Sequence, residues 1–268
     1  MYSDYKNTRI HYRIKGNPSG PAVMLIHGFT ETAAMWKPLI NVLKEKYFLF
    51  LPDLLGHYKS GLTGDVLTME EQAEMLARLM TMQGIEKVHL IGHSMGGYIS
   101  LALAELYPEK VQSITLLNSH PYADPADKIE GRRKGVQAVL QDKYAYLSQT
   151  IPGFFAAYNR EKFSGEIDKL IRKAMKMPAR GIAGALRGMM TRKDRSSLFF
   201  HQKNYASAWI ISKDDPLIDP GFFQREAEKD KELYFKIIEG GHMSYIENPS
   251  EMIKVISDFL HNLEQKNK

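Results

Sequence analysis

The stretch Val88-His89-Leu90-Ile91-Gly92-His93-Ser94-Met95-Gly96-Gly97-Tyr98-Ile99-Ser100-Leu101-Ala102-Leu103-Ala104 decides how this chain is read. Its first four residues read as a short apolar strand, and the run from Tyr98 reads as an apolar helix. Almost nothing lies between them. A strand that turns at once into a helix, with a serine at the apex and a glycine two residues away on either side, is a nucleophile elbow. Such a turn forces the serine into strained backbone angles, and a Cβ at Gly92 or Gly96 would strike the neighbouring helix or strand. Ser94 is thereby held out as a candidate nucleophile.

A serine hydroxyl attacks poorly until a base takes its proton and a carboxylate orients that base. In a strand–elbow–helix arrangement the chain order is serine, acid, histidine. Downstream of Ser94 stand His120, His201, His242 and His261. Of these, only His242 sits in a turn directly after a strand-like run, residues 233–238, with Glu239-Gly240-Gly241 freeing the backbone for a loop. His242 is the expected general base. The preceding strand-like run, Ala206-Ser207-Ala208-Trp209-Ile210-Ile211, opens into Ser212-Lys213-Asp214-Asp215-Pro216, and the carboxyl end of a parallel strand is where such sheets keep their reactive groups. Asp215 is preferred over Asp214 as the acid on its spacing to Pro216. Asp219 is a third candidate that would equally suit the cap of a following helix.

Together these segments resemble the α/β-hydrolase superfamily over nearly the whole chain. His27-Gly28-Phe29-Thr30, after the apolar residues 23–26, is similar to the family's HG-x oxyanion loop. Pro52-Asp53-Leu54-Leu55-Gly56-His57 resembles its PDxxGxG segment, Gly241-His242 its terminal GH, and residues 212–216 its GxxDPxxP acid loop. Two positions depart from the pattern: Tyr58 stands where a second glycine is usual, and Ser212 replaces the glycine of the acid loop. Both bear on loop shape rather than on nucleophile, base or oxyanion donors. The resemblance implies a serine-nucleophile, capped, esterase-like enzyme. The negative oxygen formed on attack needs preorganised donors, and the backbone N–H groups of Phe29 and Met95 are the expected pair. His27, Gly28 and His93 are candidate substrate contacts, although His27, Asp53, His57 and His93 also read as groups that fix loops.

Elsewhere, strand-like runs at residues 5–15, 23–26, 48–51, 88–91, 113–117, 208–211 and 233–238 alternate with helical periodicity. This predicts an α/β fold: a mostly parallel sheet of about eight strands with helices on both faces. Thr68-Met69-Glu70-Glu71 reads as a capping box for a helix that buries Met75, Leu76, Leu79 and Met80 and closes at Gly84. A last helix from about Ser250 turns Met252, Ile253, Ile256, Phe259 and Leu260 inward. It runs into the polar tail of residues 264–268.

Residues 121–205 break the alternation, with helical periodicity interrupted at Pro152, Gly165, Pro178 and Gly181 and no convincing strand. The expected division is a core of residues 1–120 and 206–268 with a helical cap insertion of residues 121–205, between the strand-like runs at 113–117 and 208–211. Within the 268 residues and net charge of +5, this insertion holds 17 Lys and Arg against 8 Asp and Glu, so the excess positive charge belongs to it. A basic cap can steer anionic substrates or an acidic carrier, with Arg132-Arg133-Lys134 and Arg192-Lys193-Asp194-Arg195 as contacts, or simply present solvated outer faces. Phe154, Phe155, Tyr158, Met175, Met177, Met189 and Met190 suit either an acyl pocket or packing between cap helices.

With 44% hydrophobic residues the chain can bury a large core. Its lack of cysteine excludes disulfides, thiolate nucleophiles and cysteine-ligated metals. No secretory leader or membrane span is read, so a cytoplasmic location is expected, without membrane insertion. No cofactor, metal or nucleic-acid partner is expected. The expected substrate is a small-molecule ester or acyl compound, free, anionic or carrier-bound. The expected activity is cleavage of carboxylic esters with small or medium acyl groups through an acyl-Ser94 intermediate. Lactone, amide or C–C bond cleavage, or a receptor-like member with little turnover, are the alternatives.

Overall fold

The structure is a computed structural model that describes residues 1–201 and 204–266. Gln202 and Lys203 of the expected insertion, and Asn267 and Lys268 of the polar tail, lie outside the described residues.

Eight strands form one sheet: β1 (Tyr2–Tyr5), β2 (Thr8–Gly16), β3 (Ala22–Ile26), β4 (Phe48–Pro52), β5 (Val88–His93), β6 (Val111–Leu117), β7 (Ala206–Ser212) and β8 (Tyr234–Ile238). Their order is β1-β2-β4-β3-β5-β6-β7-β8. The pairs of β2 with β1 and β4 are antiparallel, and every other pair is parallel. All six residues of β5 are buried, as a central parallel strand covered on both faces requires. Around the sheet pack α1 (Lys37–Leu43), α2 (Met69–Met82), α3 (Met95–Leu106) and the carboxyl-terminal helix (Pro249–Lys266).

The single edge strand expected over residues 5–15 is two strands. Lys6 and Asn7 take the left-handed conformation, at φ 43° and 63°, which folds the chain back into a tight hairpin. The helix start at Thr68 is half a capping box. Its Oγ1 accepts from the Glu71 N–H at 3.1 Å, but the Glu71 carboxylate turns away to Thr63 and Lys6. Gly84 ends that helix at φ +67°. Tyr58, where the resemblance expects glycine, keeps a left-handed φ of 50°, so the loop retains its shape at a steric cost.

Between β6 and β7 the chain forms α4 (Ala126–Gln141), α5 (Lys143–Thr150), α6 (Ser164–Ala174), α7 (Ala179–Met190) and α8 (Ser196–Phe200). Helix α7 lies directly on the loop between β4 and α2. A Cβ at Gly188 would stand 1.8 Å from the Leu67 carbonyl oxygen, and one at Gly181 2.3 Å from that of Gly56. The Leu67 N–H donates to the Gly184 carbonyl at 3.0 Å. Glycine at these positions lets main chain touch main chain.

Candidate active site

The carboxyl ends of β3, β5, β6, β7 and β8 lie side by side in the sheet and supply the site. Ser94 links β5 to α3 with φ 51° and ψ −116°, a conformation side chains rarely adopt. It is over-determined by its surroundings. The Ser94 N–H donates to Leu117 O at 3.0 Å, and its carbonyl accepts from the Gly97 N–H at 2.9 Å and the Ser119 hydroxyl at 2.8 Å. The glycines are required as expected: a Cβ at Gly92 would meet Gly96 O at 2.4 Å, and one at Gly96 would meet Ile26 O at 2.3 Å. Ser94 itself stays half-buried while its neighbours in β5 and α3 are buried.

His242 follows β8 through Gly240, whose φ is +107°. Its Nδ1 lies 2.7 Å from Asp215 Oδ2. A carboxylate can only accept, so Nδ1 carries the proton and Nε2 is left able to take one. Asp215 is fixed from two further sides, by the Leu217 N–H at 2.8 Å and by Asn118 Nδ2 at 3.0 Å. Asp214 is exposed and accepts from the Tyr158 hydroxyl at 2.8 Å. Asp219 caps α9 (Pro220–Ala227) through the Gly221 and Phe222 N–H groups. The three candidate carboxylates are thus separated by position, and Asp215 is the one on the histidine.

Two contributors escape sequence reasoning. Asn118, at φ 45° after β6, donates to Asp215 and to Ser212 Oγ at 2.8 Å and accepts from the Ser244 hydroxyl at 2.7 Å, tying the acid loop to the histidine loop. The signal available was a polar Asn-Ser pair at the carboxyl end of a central strand. Glu31, buried behind the β3 loop, accepts from the Gly28 N–H and from His93 Nδ1, both at 3.0 Å. The other nitrogen of His93 donates to the His242 carbonyl at 2.9 Å. Both ring nitrogens therefore donate, which requires an imidazolium. Burial opposes that charge, but the adjacent Glu31 carboxylate outweighs it and holds His93 above its ordinary range. Burial likewise opposes the Glu31 charge, and His93 holds the carboxyl below its usual range.

Two expected substrate contacts are corrected by this geometry. His27 is fully buried away from the cavity. Its Nδ1 donates to Gly28 O at 2.9 Å, and its Nε2 accepts from the Leu54 N–H at 3.0 Å. Gly28 also misses the cavity wall, because the Glu31 carboxylate and the His93 ring occupy the space a side chain there would need. His93 does reach the wall, with both nitrogens already engaged. Asp53 fixes loops, accepting from the Ala33 N–H at 2.8 Å and pairing with His11 at 2.5 Å. His57 does the same through its Nδ1 and the Leu55 carbonyl.

Ser94, His242 and Phe29 open onto a cavity of about 700 Å³. Its far wall comes from the segment between β6 and β7, with Tyr122, Arg132, Tyr146, Phe154, Leu186 and Met189 among the lining residues. Of the apolar side chains expected there, Phe154 and Met189 line the cavity. Phe155 and Met177 are instead packed inside the segment, and Tyr158 is exposed. The same segment holds His242: Phe154 O accepts from the His242 N–H at 3.0 Å. Neither the Phe29 nor the Met95 N–H has a backbone acceptor among the described residues. Among those residues no group of three or more His, Asp or Glu side chains is placed to hold a metal ion.

A family model for the alpha/beta hydrolase fold matches residues 21–249. The chain belongs to this family. Among curated α/β hydrolases it is similar to 3-oxoadipate enol-lactonase 1 of Acinetobacter baylyi, 25% identical over 98% of this chain and 97% of that one. Among solved α/β hydrolases, a thermophilic esterase from Thermogutta terrifontis with malate bound superposes with a TM-score of 0.89. That match is at 25% identity and covers 96% of this chain and 94% of the esterase. An enol-lactonase from Burkholderia xenovorans superposes with a TM-score of 0.88 at 20% identity, over 97% and 100% of the two chains, and speaks to the fold alone. The α/β-hydrolase family and these relatives support hydrolase activity on a small molecule. Among the described residues no helix is long and apolar enough to cross a membrane.

Proposed function

We propose that the protein is a carboxylesterase-like serine hydrolase that cleaves esters of small or medium acyl groups, with Ser94 as nucleophile, His242 as base and Asp215 as its orienting acid. One observation carries the reading. A serine on a strained elbow and a histidine bonded to a buried carboxylate open onto the same cavity. Residues 121–205 act as a cap over that cavity, and residues 1–120 and 206–268 as the core.

In the first step His242 Nε2 takes the Ser94 hydroxyl proton as Oγ attacks the acyl carbon. The carbonyl oxygen becomes an oxyanion held by the Phe29 and Met95 N–H groups, the second of which also lies at the positive end of α3. Collapse of this adduct breaks the bond to the alcohol oxygen, which leaves with the proton from His242. A water then gives a proton to His242 and attacks the acyl-serine. The carboxylate product departs and Ser94 regains its proton. A lactone is an internal ester and passes through the same steps, with the alcohol still attached to the acyl group. The relative named as an enol-lactonase keeps that substrate form in view.

The test is turnover of p-nitrophenyl esters of increasing acyl length by wild type and Ser94→Ala. Hydrolysis in the wild type should fall by about 10⁴-fold or more in the variant, and the chain-length optimum should fit a 700 Å³ cavity. Ester and lactone turnover that survives in folded Ser94→Ala contradicts the proposal.

A further inference from the structure

In and behind the cavity wall supplied by the segment between β6 and β7 lies an unbalanced positive charge. Asp124, between β6 and α4, is bound by two arginines. Its Oδ2 accepts from Arg132 Nε at 2.6 Å, and its Oδ1 lies 3.4 Å from Arg132 Nη2 and 2.7 Å from Arg192 Nη1. Arginine does not lose its proton in a protein, so this cluster carries two positive charges against one negative.

Its neighbours do not cancel the surplus. Arg192 is buried, with its guanidinium 4.0 Å over the Tyr98 ring, and donates to Tyr122 O and Met189 O. Its Nη2 is buried with no hydrogen-bond partner among the described residues. Glu31 is matched by His93, and Asp215 serves His242. Burial, and then the nearby Arg192, push His120 down to about 3, so it is neutral. Burial lifts the Tyr146 hydroxyl, which is neutral too. At the mouth Asp127 and Lys128 are both exposed and offset one another, and exposed Asp219 is spent on the cap of α9.

The geometry of Arg132 says what this charge can do. The Nε side of its guanidinium is taken by Asp124. Its Nη1 has no acceptor among the described residues, and the side chain lines the cavity while remaining only 22% exposed. With the Nε and Nη2 edge on Asp124, the remaining edge, Nη1 with the second N–H of Nη2, presents two parallel donors, which a carboxylate fits in a bidentate pair. Resting on the assignment of Ser94 chemistry to this cavity, we propose that the substrate is an ester or lactone carrying a free carboxylate away from the scissile carbonyl, and that Arg132 is the residue that selects it. The outward-facing neighbours take no part: Arg133 is exposed and pairs with Glu130, and Lys134 is exposed.

The test compares matched substrates by their ratio of kcat/KM, which cancels any general loss of folded enzyme. One arm sets p-nitrophenyl monoesters of glutarate and adipate against p-nitrophenyl esters of neutral acids of the same length, placing the carboxylate on the acyl side. A second arm sets O-acetyl 4-hydroxybutyrate against butyl acetate, placing it on the alcohol side. In the wild type at least one arm should favour the anionic substrate by about 10 to 100-fold. Arg132→Met should erase that preference, Arg132→Lys should restore part of it, and Arg133→Met should leave it in place. Asp124 keeps Arg192 as partner in the Arg132 variants, so the wall retains a balanced pair. Ser94-dependent turnover with no preference in either arm, or a preference that survives Arg132→Met, overturns the inference while leaving the hydrolase reading standing. If no substrate is turned over, the hydrolase reading fails, and calorimetric titration with glutarate decides the inference separately. Binding lost in Arg132→Met supports it, and binding absent in the wild type or unchanged in Arg132→Met overturns it.

Discussion

On the sheet side of the cavity Ser94 and His242 are held through their own main-chain groups, while on the helical side the wall is held largely by long side chains paired through charge. Ser94 is gripped through its own N–H and carbonyl, and His242 through its N–H to Phe154 and its carbonyl to His93. Across the cavity, Asp124 gathers Arg132 and Arg192, and Arg195 reaches Glu70 and Glu105, both at 2.6 Å, to fasten the segment to α2 and α3. Backbone contacts leave little freedom, so the floor tolerates few changes and suits chemistry that depends on fractions of an ångström. Side-chain pairs can be exchanged without moving the sheet. Such a wall can retune which substrate enters while the reaction stays the same.

The largest effect that separates the two walls is expected at the acid. Asp215→Asn should lower kcat by about 10⁴-fold by misdirecting the His242 proton, whereas Asp214→Asn, on an exposed carboxylate, should change it only a few-fold. Equal losses in steady-state kinetics would break the assignment. A smaller effect is expected from Glu31→Gln, which strands His93 beneath His242 without its carboxylate. It should cost about 3 to 5 kcal/mol in urea unfolding and about 10 to 100-fold in kcat, with KM moving less. A variant with wild-type kcat would mean that the ion pair is packing and does not position His242.

That stability loss should depend on pH. His93 is held above its ordinary 6.5, so its contribution is complete below 6.5 and fades as pH rises through the raised value. Glu31 is held below its ordinary 4.5, so its contribution is complete above 4.5 and fades as pH falls through the lowered value. The cost of Glu31→Gln should therefore be greatest between pH 4.5 and 6.5, and a pH-independent cost would contradict the pairing.

Gly188→Ala offers a milder test of a place where the helical side also uses main-chain contact. It should push α7 off Leu67 and cost about 1 to 3 kcal/mol, read as a lower unfolding midpoint. The most gradual effect is on the wild type in acid. Burial holds His57 and His120 down to about 3 against an ordinary 6.5, so below 6.5 the unfolded chain takes up protons that the folded one refuses. Their contribution is present above pH 6.5 and lost progressively toward pH 3. Urea midpoints measured across that range should fall. A rising trend would mean that these rings are charged in the folded state.

The same contrast explains what could be read from the sequence. The placement of Ser94, Asp215 and His242 at the carboxyl ends of strands was legible because each lies where an apolar strand run meets glycine or proline, and those breaks are local. Asn118 and Glu31 were not, because their roles depend on bonds to residues about a hundred positions away or on a buried charge that His93 balances. His27 and Gly28 were misassigned because proximity to a motif in sequence says nothing about which side of the loop faces the cavity. On the helical side, Arg192 and Arg195 read either as contacts for an anionic partner or as solvated charge, yet both are buried in ion pairs, since the sequence does not reveal that Asp124, Glu70 and Glu105 converge on them. The hairpin at Lys6 and Asn7 was merged into one strand because the turn contains no glycine, and asparagine's tolerance of the left-handed region is a weak cue.

The most direct test of the central claim is to treat wild type, Ser94→Ala and Asp215→Asn with a fluorophosphonate ester and locate the adduct by peptide mass spectrometry. The account predicts one stoichiometric adduct on Ser94 in the wild type, a much slower one in Asp215→Asn and none in Ser94→Ala. An adduct on another residue, or a wild-type protein that turns over esters and yet resists labelling at Ser94, would contradict it.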